Sequence, residues 1–468
     1  MTASPPLFPP ATRDDWLRAI GGAARAPAAH ITYDGIPVEP LPIRAIASPA
    51  LTRADPAGWD IRPLHDAADP SAVNAAILAD IAGGATSIAL QLAVPGQYGL
   101  TPRFDAISAA LKAVPLDRIP VCFAAGDQYI GAAQCLMALW EATGRPGPDM
   151  GGAIHADPLG TLAVTGVLEA GLWPTLELLG SFVAANIEPW PNVRLLMADG
   201  APYHDAGASE AQELAAMLAT AVEYLRALSF EHMPVADVLP HLTLGLAADA
   251  DLFATIAKLR AARLLIARVA EASGAGGAAG TVDVWVRTSQ RMLTAQAPHT
   301  NILRNSIAAL GAAVGGADAI TVRPHTHALG ASDVGAQRLA RNTHLLLRDE
   351  SGIARVLDPA AGSSTVAALT TALAERAWTL FQEIEAAGGM AKSLLSGKVQ
   401  AGIARTAAAR VADLATGKTA ITGVTKFTAA DEAVLPITPH PQPAPIEHAE
   451  TRIPPMPVLR VSAPLEPG

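Results

Sequence analysis

The densest run of side chains able to do chemistry is PHTHALG, residues 324–330. His325 and His327 are two residues apart, which in an extended segment puts both imidazoles on one face. Paired imidazoles suit a transition metal, but a site needs a third ligand and no carboxylate is evident beside them. The expectation is a polar loop and no metal on this chain. SGAGGAAG, residues 273–280, contains GAGGAA, formally a dinucleotide fingerprint. Phosphate-binding loops follow a strand and open a helix, whereas this one follows a helix and precedes a strand. It is therefore read as a flexible connection. Asp358-Pro359 is a turn opening a helix whose N-terminus can hold an anion. Cys122 and Cys135 are the two cysteines and show no CxxC or zinc spacing, so two free thiols are expected. There is no evident Ser-His-Asp arrangement, telling carboxylate pair or P-loop.

The elements that must position these residues alternate. Period-2 or continuous apolar runs mark strands at Thr86–Leu92, Pro120–Ala124, Ala153–Ala156, Phe182–Asn186, Val193–Ala198, Leu239–Leu246, Val282–Val286 and Ala319–Val322. Helical periodicity falls at Pro70–Ala82, Phe104–Ala113, Ile130–Thr143, Gly160–Ala170, Ala208–Leu228, Leu252–Ser273, Asn301–Val314 and Ala336–Asp349. Ser209, with Gln212 three residues on, has the form of a capping box. Strand and helix at this rhythm, about eight times over, predict a (β/α)8 TIM barrel, with a doubly wound open sheet as the competitor. PHTHALG would then stand after the last strand, on the functional face.

Three regions are expected. Residues 1–50 form an N-terminal helix and extended arm, 51–430 the barrel and 431–468 a Pro-rich tail. Thr12 starts a helix, and ITYDGIPVEPL has a turn signal at Asp34-Gly35. It is open whether this phrase is a hairpin on its own barrel or an arm on a partner. Residues 371–414 are largely helical with a break at Gly388-Gly389, and proline density after Pro436 predicts an extended tail. That tail is either disordered or laid along a partner surface.

Half of the 468 residues are hydrophobic, enough for a large core, and 16% are charged. The formal net charge of −10 argues against a nucleic-acid partner, whose phosphates need a basic face. The N-terminus lacks the basic and apolar regions of a signal peptide, and no charge-free apolar run reaches the ~20 residues of a membrane span. A soluble cytoplasmic protein is expected.

TNILRNSIAALGAAVGGADAITV, HTHALG, ARNTHLLLRDESGIARVLDPAAGS and EAAGGMAKSL occur in that order. Together they resemble the barrel of the adenosylcobalamin-dependent acyl-CoA mutases, above all the small, non-catalytic subunit of methylmalonyl-CoA mutase. The resemblance covers residues 30–430. It implies a barrel acting in a complex that interconverts methylmalonyl-CoA and succinyl-CoA. It further implies that adenosylcobalamin is bound by a partner chain, since the DxHxxG cobalt-ligand motif of full-length mutases is not found here. His440 and His448 lie in the proline tail, outside any strand–loop–helix context.

Site residues follow from the same resemblance. In catalytic chains a Tyr-His pair, whose His donates to the thioester oxygen, precedes an EAGA phrase. Here Asp205-Ala206-Gly207-Ala208 matches that phrase, so the pair falls on Ala201 and Pro202. Tyr203 and His204 come two residues late, and on an extended segment this is about 6–7 Å. His204 is thus the one catalytic candidate. The TSGWSLT substrate loop reads TSQRMLT, which makes Arg291 a candidate CoA contact, with a solvated loop charge as the alternative. The RPWTIRQYAGF pattern is lacking around residues 54–64, taken here as preceding the first strand. His325 matches the family's HTN phrase as a CoA-facing residue. Asn342 and Glu350 match positions near the adenosyl pocket, or are solvated and capping groups. Asp358-Pro359 is a packing element in the family. The expected partner is a catalytic mutase chain carrying the cobalamin domain, in a heterodimer, with a homodimer as the other option and acyl-CoA as a ligand. Two further readings stand: a catalytic barrel of a split acyl-CoA mutase, served by His204 or His325, and a non-enzymatic regulator or chaperone of a mutase.

Overall fold

Eight parallel strands close into a ring in the computed structural model, which describes residues 12–42, 51, 58–428, 435 and 437–465. β1 is Asp60–Ile61 continued by Leu64–His65, β2 Ile88–Gln91, β3 Val121–Ala124 and β4 Gly152–Ala156. β5 is Val193–Asp199, β6 Leu242–Ala248, β7 Asp283–Thr288 and β8 Ala319–Thr321. The two halves of β1 close the ring. Its first half pairs with β8 (Ala319↔Asp60, Ile320↔Ile61), and its second with β2 (Leu64↔Ala89, His65↔Leu90). This is the (β/α)8 barrel that the alternation predicts.

The count of eight was reached from the sequence with one strand wrong and one missing. Phe182–Asn186 is not a strand but the last turn of the helix Leu172–Asn186. Leu172, Leu176, Leu179 and Val183 are buried at the 3–4-residue spacing of one helix face, which a short FVAAN window hides. β1 was missed because Pro63, with no N–H to donate, interrupts DIRPLH. The segment taken to precede the first strand is thus itself that strand; residues 52–57 of it lie outside the described part.

Helices enclose the ring. Glu210–Ser229 and Leu252–Ala272 are buried over most of their length, consistent with their Ala- and Leu-rich text. Thr300–Gly315 approaches Leu252–Ala272 closely through small residues: a Cβ on Gly315 would lie 2.8 Å from Leu259 Cδ1. The expected capping box is present, with Ser209 Oγ accepting from Gln212 N and Gln212 Oε1 accepting from Ser209 N. Residues 273–280 are the helix-to-β7 connection that their position predicts. Asp358 packs as a structural group, accepting from Arg260 Nη1 at 2.7 Å and Leu51 N at 3.1 Å. Inside the ring Trp285 fills the axis, with Arg287 over one part of it (4.9 Å) and His155 stacked against it (5.1 Å).

The N-terminal phrase forms a hairpin, His30–Ile31 against Pro37–Val38, on its own barrel. Asp34 in its turn accepts from Ser209 Oγ and from Ala211 N (3.1 Å), at the start of the helix Glu210–Ser229. The tail is extended, as its prolines predict, and also lies on its own barrel. Pro436 and residues 429–434, where the tail was expected to begin, are outside the described residues. Among the described residues no helix is long and apolar enough to cross a membrane.

Candidate functional site

A cavity of about 310 Å³ opens at the C-terminal ends of the strands. Its polar wall comes from residues at strand ends, among them Asp66 after β1, Asp157 after β4, Asp199 on β5, Arg287 on β7 and Arg323 after β8. Asp199 pairs with Arg287 within the wall. Gly245 on β6 makes room for this, because a Cβ there would collide with the Asp199 carboxylate. Asp157 caps the helix Pro158–Thr165 by accepting from Gly160 N at 3.0 Å, and it accepts from the Tyr224 hydroxyl. Burial, with the Asp199 charge added, pushes Asp157 up to about 7. A buried carboxyl that titrates near neutrality, on a cavity wall, can hold or give a proton. Sequence reading missed it; an Asp-Pro directly after a β-strand was the available signal.

The tail crosses this mouth as a strap. Ala331 N donates to Thr438 O at 2.8 Å, Gly96 N to Ala444 O at 2.9 Å and Ala444 N to Gln97 O at 3.2 Å. Thr451–Arg452 then pairs antiparallel with Val167–Leu168. Met456 N donates to Ala163 O at 2.9 Å, Leu459 N to Asp205 O at 2.7 Å, and Arg460 Nη1 returns to Ala328 O at 3.0 Å. The strap thus touches the loops after β8, β2, β4 and β5, and Pro443, Met456 and Val458 line the cavity.

The residues singled out from the sequence fall in three places. Ala201 and Pro202 line the cavity, at the positions where the resemblance puts a Tyr-His pair. Tyr203 and His204 do not. The segment is a short helix, Ala201–Asp205, not the extended chain assumed, so two residues amount to about 200° of rotation. His204 turns into the protein and is fully buried. Its Nδ1 lies 3.0 Å from Glu213 Oε2 and its Nε2 2.9 Å from Ser289 Oγ.

Arg291 joins the same buried network. Its Nη1 donates to the carbonyls of His204 (2.9 Å) and Ala208 (2.8 Å), and its Nη2 to Asp249 Oδ2 (2.7 Å). It is 4% exposed, so the solvated-charge alternative does not hold. A guanidinium reaches so many acceptors that a loop can fold around it.

His325 and His327 part company. His325 stacks on His299 with centroids 5.6 Å apart, away from the cavity, and burial lowers its basicity. His327 faces the mouth, where Asp66 and the tail's His440 meet it. Asn342 and Glu350 are exposed, on the helix Val334–Leu345 and the turn after it, outside the cavity. Of the five residues proposed from sequence, two share one network and none lines the cavity.

A closed parallel barrel with a polar, strap-covered cavity at its C-terminal face defines a (β/α)8 barrel protein. The family model for methylmalonyl-CoA mutase matches residues 52–452, and the chain belongs to that family. It is 42% identical to the methylmalonyl-CoA mutase small subunit of Streptomyces virginiae, covering 93% of this chain and 73% of that one. It is 38% identical to the probable methylmalonyl-CoA mutase small subunit of Mycobacterium tuberculosis (90% and 68%). Identity to the small subunit of Propionibacterium freudenreichii subsp. shermanii is 33% (90% and 69%).

The family implies adenosylcobalamin, and the mouth does not fit it. The tail strap lies across the opening, hydrogen-bonded to the loops after β8, β2 and β5 that surround it. No step through cobalamin is assigned to this chain.

Proposed function

We propose that this chain is the small subunit of an adenosylcobalamin-dependent methylmalonyl-CoA mutase, acting mainly as a scaffold for a catalytic partner chain. On this reading the partner carries the cobalamin and interconverts methylmalonyl-CoA and succinyl-CoA, in a cytoplasmic heterodimer. The observation that carries it is at the cavity wall. Ala201 and Pro202 stand where a thioester-binding Tyr-His pair is expected, and neither side chain can donate a hydrogen bond. A wall without that donor loses the stabilisation that separates a transition state from bound substrate. His204 does not substitute for it, because both ring nitrogens are committed to protein partners.

The test is co-expression with the cognate catalytic chain. A one-to-one complex by light scattering is expected, with turnover confined to that complex. A chain that stays alone beside its partner ends the proposal. So does acyl-CoA turnover by this chain when only a cobalamin-domain protein is added, which would favour the split-mutase reading. Titration with CoA then decides whether the cavity takes an acyl thioester.

A further inference from the structure

Asp66, His327 and His440 come from three distant segments: the end of β1, the loop after β8 and the tail strap. One oxygen and two imidazole nitrogens from them lie within 4.8 Å of one another. From the sequence, His327 lacked a carboxylate and a third ligand; the fold supplies both. We propose that these three residues form a divalent-cation site of the zinc type, which clasps the tail to the barrel mouth. The proposal is independent of the mutase reading.

The orientation of His440 is the strongest argument. Its Nε2 donates to the His327 carbonyl at 2.8 Å. That bond fixes the tautomer and leaves the lone pair on Nδ1, which is buried and has no hydrogen-bond partner. A buried nitrogen left without a partner is unfavourable unless something fills the site. The ring is further held by stacking on Tyr98, with centroids 5.1 Å apart and planes at 21°. A histidine whose second nitrogen is tied to a backbone carbonyl, with its first free, is the usual preparation for metal binding. His327 is similarly held, its Nε2 3.3 Å from Gln290 Oε1, while Gln290 Nε2 donates to Asp205.

The donor set selects the ion. Two imidazoles and one carboxylate match zinc and its first-row neighbours, whereas magnesium and calcium take oxygen shells and copper(I) prefers sulfur. Around a tetrahedral zinc with ligand bonds of about 2.0–2.2 Å, ligand atoms sit roughly 3.3 Å apart. The three side chains therefore draw inward by an ångström or so. The adjoining cavity of about 80 Å³ has room for the ion and a water as fourth ligand. Arg323 borders the same space, with its Nε held by Thr288 O at 3.1 Å, and Asp66 offsets its charge.

The experiment uses the full chain, stripped with a chelator and titrated with Zn²⁺ alone by calorimetry. One equivalent is expected to bind and to survive dialysis. His440→Ala and Asp66→Asn should each weaken binding by more than about tenfold, while His448→Ala, an exposed tail histidine, leaves it unchanged. Far-UV circular dichroism confirms that each variant is folded, and His440→Gln serves as a milder second variant. Amide exchange at Gly96 and Ala444 should slow on adding Zn²⁺ to the wild type and not to His440→Ala. Failure to bind one equivalent overturns the site. Binding that survives both His440→Ala and Asp66→Asn does the same. Binding without any change in tail exchange overturns the clasp.

Discussion

Arg291 holds His204 through its backbone: Arg291 Nη1 donates to the His204 carbonyl at 2.9 Å, while the His204 ring points on to Glu213 and Ser289. Two residues that sequence reading proposed separately, one for catalysis and one for CoA, brace one buried charge network. Lys258 pairs with Glu213 at 2.5 Å, and Asp249 joins Arg291, so the network ties the loop after β5 to β6, β7 and two surrounding helices.

From this follows the behaviour of His204→Ala. Removing a fully buried ring leaves a void and takes away two hydrogen bonds, one from Glu213 Oε2 and one from Ser289 Oγ. The expected cost is about 2–4 kcal/mol of unfolding free energy. Thermal denaturation reads it. Where the variant is still folded, association with the catalytic chain should be unchanged. A variant of wild-type stability that fails only in turnover would return His204 to catalysis.

Glu213 sets an acid limit on the fold. Burial alone would raise its carboxyl, yet Lys258 and then His204 pull it down to about 2. A depressed carboxyl gives stability that is fully present above its unfolded value near 4.5 and disappears as pH falls toward 2. Lys258→Met leaves Glu213 without its main counter-charge. It should cost about 3–5 kcal/mol and move acid unfolding to higher pH. Fluorescence-detected acid titration of the two proteins makes the comparison, and coincident midpoints would contradict it.

Much of this was legible and some was not, for reasons that particular residues show. Helix starts were readable where the signal is local: the Ser209 capping box was read from its spacing, and periodicity placed the starts at Pro70 and Leu252, where the structure adds Asp69 and Asp251 as caps. β1 was hidden by Pro63, and the Phe182 run was misread because five apolar-rich residues cannot separate period 2 from 3.6. His204 was placed by register on an assumed extended segment, and a single helical turn reverses the direction of its ring. The meeting of Asp66, His327 and His440 depends on three segments joined only by ring closure and the strap. No local pattern could announce it.

Asp157 gives the opposite pH dependence to Glu213. Its carboxyl is raised to about 7, so the stability it contributes is complete below about 3.8 and is lost as pH rises through 7. Asp157→Asn keeps an oxygen for Gly160 N and Tyr224 but removes the titration. Between pH 5 and 8 the wild type should lose stability that the variant does not. Melting temperatures across that range decide it, and parallel curves would refute the assignment.

The N-terminal hairpin carries a similar dependence on a smaller scale. Asp34 sits at the positive end of the helix Glu210–Ser229, where an anion is favoured, and it accepts from Ser209 Oγ and Ala211 N. Burial, and after it the neighbouring Glu210, nevertheless raise its carboxyl to about 6. Docking is therefore strongest when Asp34 is protonated, and its stabilisation is lost as pH rises through about 6. Limited proteolysis near Gly35 should accelerate between pH 5 and 7.5. Asp34→Asn should flatten that rise, since an amide keeps an acceptor and carries no charge beside Glu210. Cleavage of the wild type that does not change with pH would mean that Arg410, which stacks over Tyr33 at 4.2 Å, holds the hairpin whatever the state of Asp34.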